Sequence, residues 1–131
     1  MGKKRNRRGG DLMPIVEVLA DRNKIDSEQF DRLLRTLYRE IWDIVPAELS
    51  AEEPGARLVA HDLEIRFRER HEKDGPSNFD VEIEIRAIDF PSRRANIQKR
   101  TERIFERLRL SMGGLRFFVF ILLSPGGFAS R

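Results

Sequence analysis

Few residues of this 131-residue chain have types that carry chemistry, and their spacing narrows the field further. There is no cysteine, which removes thiolate nucleophiles, thiolate metal sites and disulfides. The two histidines, His61 and His71, lack a cysteine or spaced carboxylate that would complete a metal site. His61 opens an alternating run and His71 lies in a run of charges, so both read as surface or interface residues. No G-x-G-x-x-G, P-loop or G-x-S-x-G occurs, and the paired carboxylates Glu52-Glu53 fall in a polar loop facing water. What remains is Met13-Pro14, in the stretch "GGDLMPIVEV" (9–18), where a basic, glycine-rich leader meets the first strand-like run. Inside a chain a proline nitrogen is an amide without useful basicity. At a free terminus it is a secondary amine. A free α-amino group ionises near ~8, and burial beside cations lowers that value, towards the pH at which general acid–base catalysis works best. Pro14 therefore has two readings: the first residue of an edge strand, or an amine exposed by removal of an initiator methionine.

The elements that must position it follow from periodicity. Pro14 to Ala20 is apolar and partly β-branched, and it ends in the turn-prone Asp21-Arg22-Asn23, which predicts strand one. Asp26 or Ser27 caps a helix whose buried face is Phe30, Leu33, Leu34, Leu37, Ile41, Ile44 and Val45, and Pro46 is expected to stop it. Residues 47–56 read as a loop. His61 to Arg68 and Asp80 to Ile88 alternate, with Leu63, Ile65, Phe67 and Val81, Ile83, Ile85 opposed to rows of Glu and Arg. Pro91-Ser92 opens a second helix with the stripe Ile97, Thr101, Ile104, Phe105, Leu108 and Met112, closed by Gly113-Gly114. Leu115 to Leu123 is nearly all apolar and is expected to be a strand buried on both faces. The order is β-α-β twice, an α+β protein: two right-handed crossovers giving a four-stranded mixed sheet with two helices on one face.

Composition sets outer limits. A chain of this length makes one domain with a real core, and no apolar run approaches the roughly 18 residues of a membrane span. No apolar segment follows the basic residues at the start, which excludes a secretory signal there. With the missing cysteines, this reads as a cytoplasmic protein. The net charge of +3 resides in the leader: residues 1–13 carry +4, leaving −1 on Pro14 to Arg131. A near-neutral body of mixed signs argues against a nucleic-acid partner. The leader "KKRNRR" is either a phosphate-binding arm or, more ordinarily, solvated disorder.

Met13-Pro14-Ile15-Val16-Glu17-Val18, followed by a helix beginning Asp26-Ser27-Glu28-Gln29, resembles the start of the tautomerase superfamily. That superfamily includes 4-oxalocrotonate tautomerase, 5-carboxymethyl-2-hydroxymuconate isomerase and macrophage migration inhibitory factor. Its longer members are tandem β-α-β repeats, and the 118 residues from Pro14 to Arg131 have about their length. The resemblance implies a cofactor-independent tautomerase or isomerase without a metal, in which Pro14 moves a proton between oxygen and carbon of a small enol or dienol carboxylic acid. It implies cations around the start of strand one that hold the substrate carboxylate: Arg57 before strand two, Arg93 and Arg94 opening helix two, and Lys24 after strand one. The match is inexact at Lys24, Arg93 and Arg94, and a solvated surface charge is the competing reading for each of the four. The resemblance further implies a homo-oligomer, a trimer with its sheets facing inward. Phe90 and Phe128 read as pocket walls or as packing.

An amine at Pro14 requires that residues 1–13 be absent from the mature protein. Arg8-Gly9-Gly10-Asp11 can be encoded AGA-GGA-GGU-GAU, which contains the bacterial ribosome-binding consensus AGGAGGUGAU a few nucleotides before the Met13 codon. The expectation is a start at Met13, methionine removal, and a domain running from Pro14 to Arg131. The alternatives are a genuine extension on a non-catalytic relative, a self-assembling protein without activity, and a ferredoxin-like β-α-β-β-α-β module binding RNA or a small ligand. The last shares the element order with different strand neighbours.

Overall fold

The computed structural model describes residues 14–50, 63–71, 77–89 and 91–124. Strand β1 (Ile15–Ala20) leads into helix α1 (Ser27–Ser50), and β2 (Glu64–Glu69) and β3 (Val81–Ile88) follow. A short helix α2 (Pro91–Ala95) and a longer α3 (Ile97–Met112) then precede β4 (Phe117–Ser124). The predicted second helix is thus two, broken at Asn96, whose φ of −131° is not helical. Among the described residues no helix is long and apolar enough to cross a membrane.

The sheet order is β2-β1-β3-β4. Strands β1 and β2 pair in parallel, β1 and β3 antiparallel, and β3 and β4 in parallel. The two β-α-β units are therefore joined by the antiparallel β1–β3 seam. A ferredoxin-like, split unit would seat another strand between β1 and β2. Here they hydrogen-bond directly, which removes that alternative.

Alternation decides what is buried. Val16, Val18 and Ala20 of β1 and Val81, Ile83, Ile85 and Ala87 of β3 face the helices, where they join Leu37, Ile41, Val45, Ile104 and Leu108 in one core. The opposite face carries Glu17, Glu64, Arg66, Arg68, Glu82, Glu84 and Arg86. Their signs pair along and across strands, as in Arg68–Glu17 at 2.8 Å and Arg66–Glu64 at 2.8 Å.

Helix α1 starts where the capping rule places it: the Asp26 carboxylate accepts the Gln29 N–H at 2.8 Å. Its end departs from expectation. Pro46 lies inside the helix, which continues to Ser50 through residues expected to be loop. Proline removes one i→i−4 bond, but Leu49 beyond it is fully buried. The last carbonyls find donors elsewhere: Arg100 Nη1 reaches Glu48 O at 2.6 Å and Leu49 O at 3.0 Å. Side chains from the third helix thus hold together a turn that proline weakens. Strand β4 also differs, because among the described residues only one of its faces is covered. Phe120 and Leu122 on the open side are 50% and 43% exposed.

Candidate active site

Pro14 stands immediately before β1 and is buried. It has no N–H to give, but its carbonyl accepts the Glu64 N–H at 3.0 Å, which ties the head of β1 to the head of β2. Ile15 faces Glu64 on one side and Arg86 on the other. Pro14 therefore lies between the start of β2 and the end of β3. The end of β4 closes the same edge through Ile88 opposite Ser124 and the Asp89 N–H donating to Ser124 O at 3.1 Å. Extending the register by one residue sets Leu63 and Ala87 beside Pro14, and Asp89 and the start of α2 follow directly from the end of β3.

The expected cations divide into three situations and one omission. Arg93 is only 3% exposed; its Nε donates to Leu49 O at 3.1 Å and its Nη1 to Ile88 O at 2.9 Å. These bonds bridge the end of α1 to the end of β3 and place positive charge at the negative pole of the helix. Arg94 instead faces solvent and donates through Nε to Asp89 Oδ1 at 3.0 Å. Lys24 follows the far end of β1 and donates to Ser77 O at 3.0 Å. Six strand residues separate that end from Pro14, roughly 20 Å, so within one chain Lys24 does not join this edge. Arg57 lies outside the described residues, as do His61, Phe90 and Phe128.

Sequence reasoning missed Arg100. It is fully buried, with Nε on Asn96 Oδ1 at 2.6 Å in addition to its two α1 carbonyls. It occupies the stripe position assigned to the half-buried Thr101. The spacing i+3 from Ile97 and i−4 from Ile104 is the signal that could have identified it; its charge hid it. Glu48 beside it receives Arg103 Nε at 2.9 Å. Glu64, next to Pro14 across the strand pair, holds the Arg66 guanidinium above its ordinary pKa, first through their hydrogen bond and then through charge. Arg66 thus carries its charge at every working pH. Among the described residues no group of three or more His, Asp or Glu side chains is placed to hold a metal. A separate groove of about 350 Å³ on the open sheet face is lined by Glu17, Leu19, Glu82, Glu84, Phe118 and Phe120.

No protein-family model matches the sequence, and no curated protein matches it. Solved structures do match. A 5-carboxymethyl-2-hydroxymuconate delta-isomerase superposes with a TM-score of 0.53 at 8% identity, covering 93% of this chain and 88% of that one. A 5-carboxymethyl-2-hydroxymuconate isomerase from Deinococcus radiodurans R1 gives 0.51 at 10% identity over 92% and 90%. A protein of unknown function from Vibrio cholerae O1 biovar eltor gives 0.50 at 12% over 95% and 88%. The chain has the fold of the tautomerase superfamily. At these identities the likeness is one of fold.

Proposed function

We propose that this chain is a cofactor-independent tautomerase or isomerase whose base is the nitrogen of Pro14. The observation that carries this reading is the place of Pro14 within the fold. A buried proline preceded by methionine opens β1, at the edge where β2, β3 and the arginine-bearing α2 converge, in a fold shared with two named isomerases.

In this reading translation starts at Met13, the methionine is removed, and the mature domain begins at Pro14. The secondary amine takes a proton from the enol oxygen of a small unsaturated 2-hydroxy carboxylic acid and returns it to carbon, so no net proton is gained or lost. Burial favours the neutral amine over the ammonium, which keeps the base available near neutral pH. Arginine donors bind the substrate carboxylate and stabilise the dienolate that forms between the two proton transfers. Arg94 is our candidate for that task, because it is the exposed cation that follows the end of β3. Arg57 remains a candidate from the resemblance, Arg93 serves from a buried position, and Lys24 would act only from a neighbouring subunit.

That last assignment requires a homo-oligomer, and we propose a trimer. Its support is the open sheet face, where Phe120 and Leu122 are exposed opposite Glu84 and Arg86 of β3. The natural compartment in this reading is the cytoplasm.

The test has two readouts on protein made from the native gene. Intact mass is expected to correspond to Pro14–Arg131. Ketonisation of phenylenolpyruvate or 2-hydroxymuconate is expected from the Pro14-started protein and absent from the full 131-residue form, in which the same nitrogen is an amide. A mature chain retaining residues 1–13, or equal rates from both forms, would sink the mechanism.

A further inference from the structure

The ion pair between Asp89 and Arg94 leaves one edge of a guanidinium unused. A guanidinium offers a carboxylate two edges, one with Nε–H and an Nη, the other with both Nη groups. Here Arg94 Nε donates to Asp89 Oδ1 at 3.0 Å, and no other partner of Arg94 is found among the described residues. The end bearing both terminal nitrogens is therefore open, on a side chain that is 61% exposed. Asp89 is the firmer member. It is 23% exposed and one residue past β3, and its backbone N–H is fixed on Ser124 O at 3.1 Å.

An exposed pair of this kind contributes little to stability. Its consequence is orientational: it removes torsional freedom from a long side chain before any ligand arrives. Arg93 next door is committed to Leu49 O and Ile88 O and anchors the backbone from which Arg94 projects. We propose that Asp89 is a positioning residue that presents Arg94 end-on as the receptor for one carboxylate of a small organic acid at the Pro14 edge. This rests on the tautomerase reading for the identity of the site, but the anion grip is separable from the proton transfer.

The sign of one substitution discriminates. Asp89→Asn removes a negative charge, so if net charge alone governed anion binding, the variant would bind a carboxylate more tightly. Positioning requires the reverse. In the Pro14-started protein, Asp89→Asn is expected to raise KM for phenylenolpyruvate about 5- to 20-fold with kcat changed less than about twofold, the pattern of lost uniform binding. Arg94→Gln is expected to do at least as much, and the double variant no more than Arg94→Gln alone. Asp89→Glu should recover part of the loss, and thermal midpoints should stay within about 2 °C. The second arm titrates fumarate and follows the Arg94 Nε–H signal by NMR, in protein carrying Pro14→Ala. Fumarate is expected to bind there and to weaken when Asp89→Asn is added. An unchanged or lowered KM in Asp89→Asn, together with fumarate binding indifferent to Asp89, overturns the positioning role even if Pro14→Ala abolishes catalysis. Fumarate binding that depends on Asp89 and Arg94 while Pro14→Ala retains full activity upholds the grip and overturns the proline mechanism instead.

Discussion

Burial acts differently on an amine, as proposed for Pro14, and on a guanidinium such as that of Arg100. For an amine, burial penalises the protonated form and frees the base. For a guanidinium, which does not deprotonate, burial is tolerable only with every donor satisfied. The first case predicts a pH profile. In the Pro14-started protein, kcat/KM rises with pH through one ionisation on the acid side, because only the unprotonated amine accepts the substrate proton. A steady-state pH series checks it. The second case predicts a stability loss. Arg100→Met leaves the carbonyls of Glu48 and Leu49 without the donors that now reach them, and urea denaturation is expected to show a cost of about 3 kcal/mol. Arg100→Lys should lose less, since it keeps the charge at the helix C-terminus. At this scale the sequence offers Pro14 as a candidate and hides Arg100. A proline after methionine is visible as a pair of letters, whereas a buried arginine shows only through the carbonyls that it meets.

The elements were legible wherever one periodicity ran without competition. The stripe from Phe30 to Val45, the alternations in β2 and β3 and the Asp26 cap all recur in the fold. The failures have physical causes. Pro46 was read by its local rule, but the buried Leu49 and the arginines of α2 and α3 extend the helix past it. The all-apolar β4 was read as doubly buried, but among the described residues no second layer covers Phe120 and Leu122. The end of α3 offers a test of the backbone rule that did hold. Gly113 has φ of +60°, and an added Cβ at either Gly113 or Gly114 would meet no atom within 4 Å. Sterics being equal, backbone strain alone should separate the two. Gly113→Ala is expected to cost about 1 kcal/mol, whereas Gly114→Ala should be neutral or stabilising by a few tenths, as measured by chemical denaturation.

In the whole molecule, the helices cover one face of the sheet and leave the other with paired charges and an apolar strip on β4. A sheet of this kind has two edges. The β2 edge is guarded by Arg66 and Arg68, and the β4 edge is long and hydrophobic, the sort that attracts another strand or surface. If copies of the chain cover this face, Phe120→Lys with Leu122→Glu should convert the trimer into monomer by light scattering after gel filtration. The buried core should survive, because neither side chain contributes to it. Activity should fall with the trimer if Lys24 of a neighbour completes the site. A double variant that remains trimeric would place the interface elsewhere. The candidate site was only half legible in the sequence, because the residues proposed for it come from separate segments whose neighbourhood depends on the strand order. The central claim needs neither the trimer nor the arginines to be decided. It is tested most directly by the rate of phenylenolpyruvate ketonisation in the Pro14-started protein and in its Pro14→Ala variant, which exchanges the secondary amine for a primary one in the same place. A loss of about 10²-fold or more is predicted for a general base, and equal rates would contradict the account.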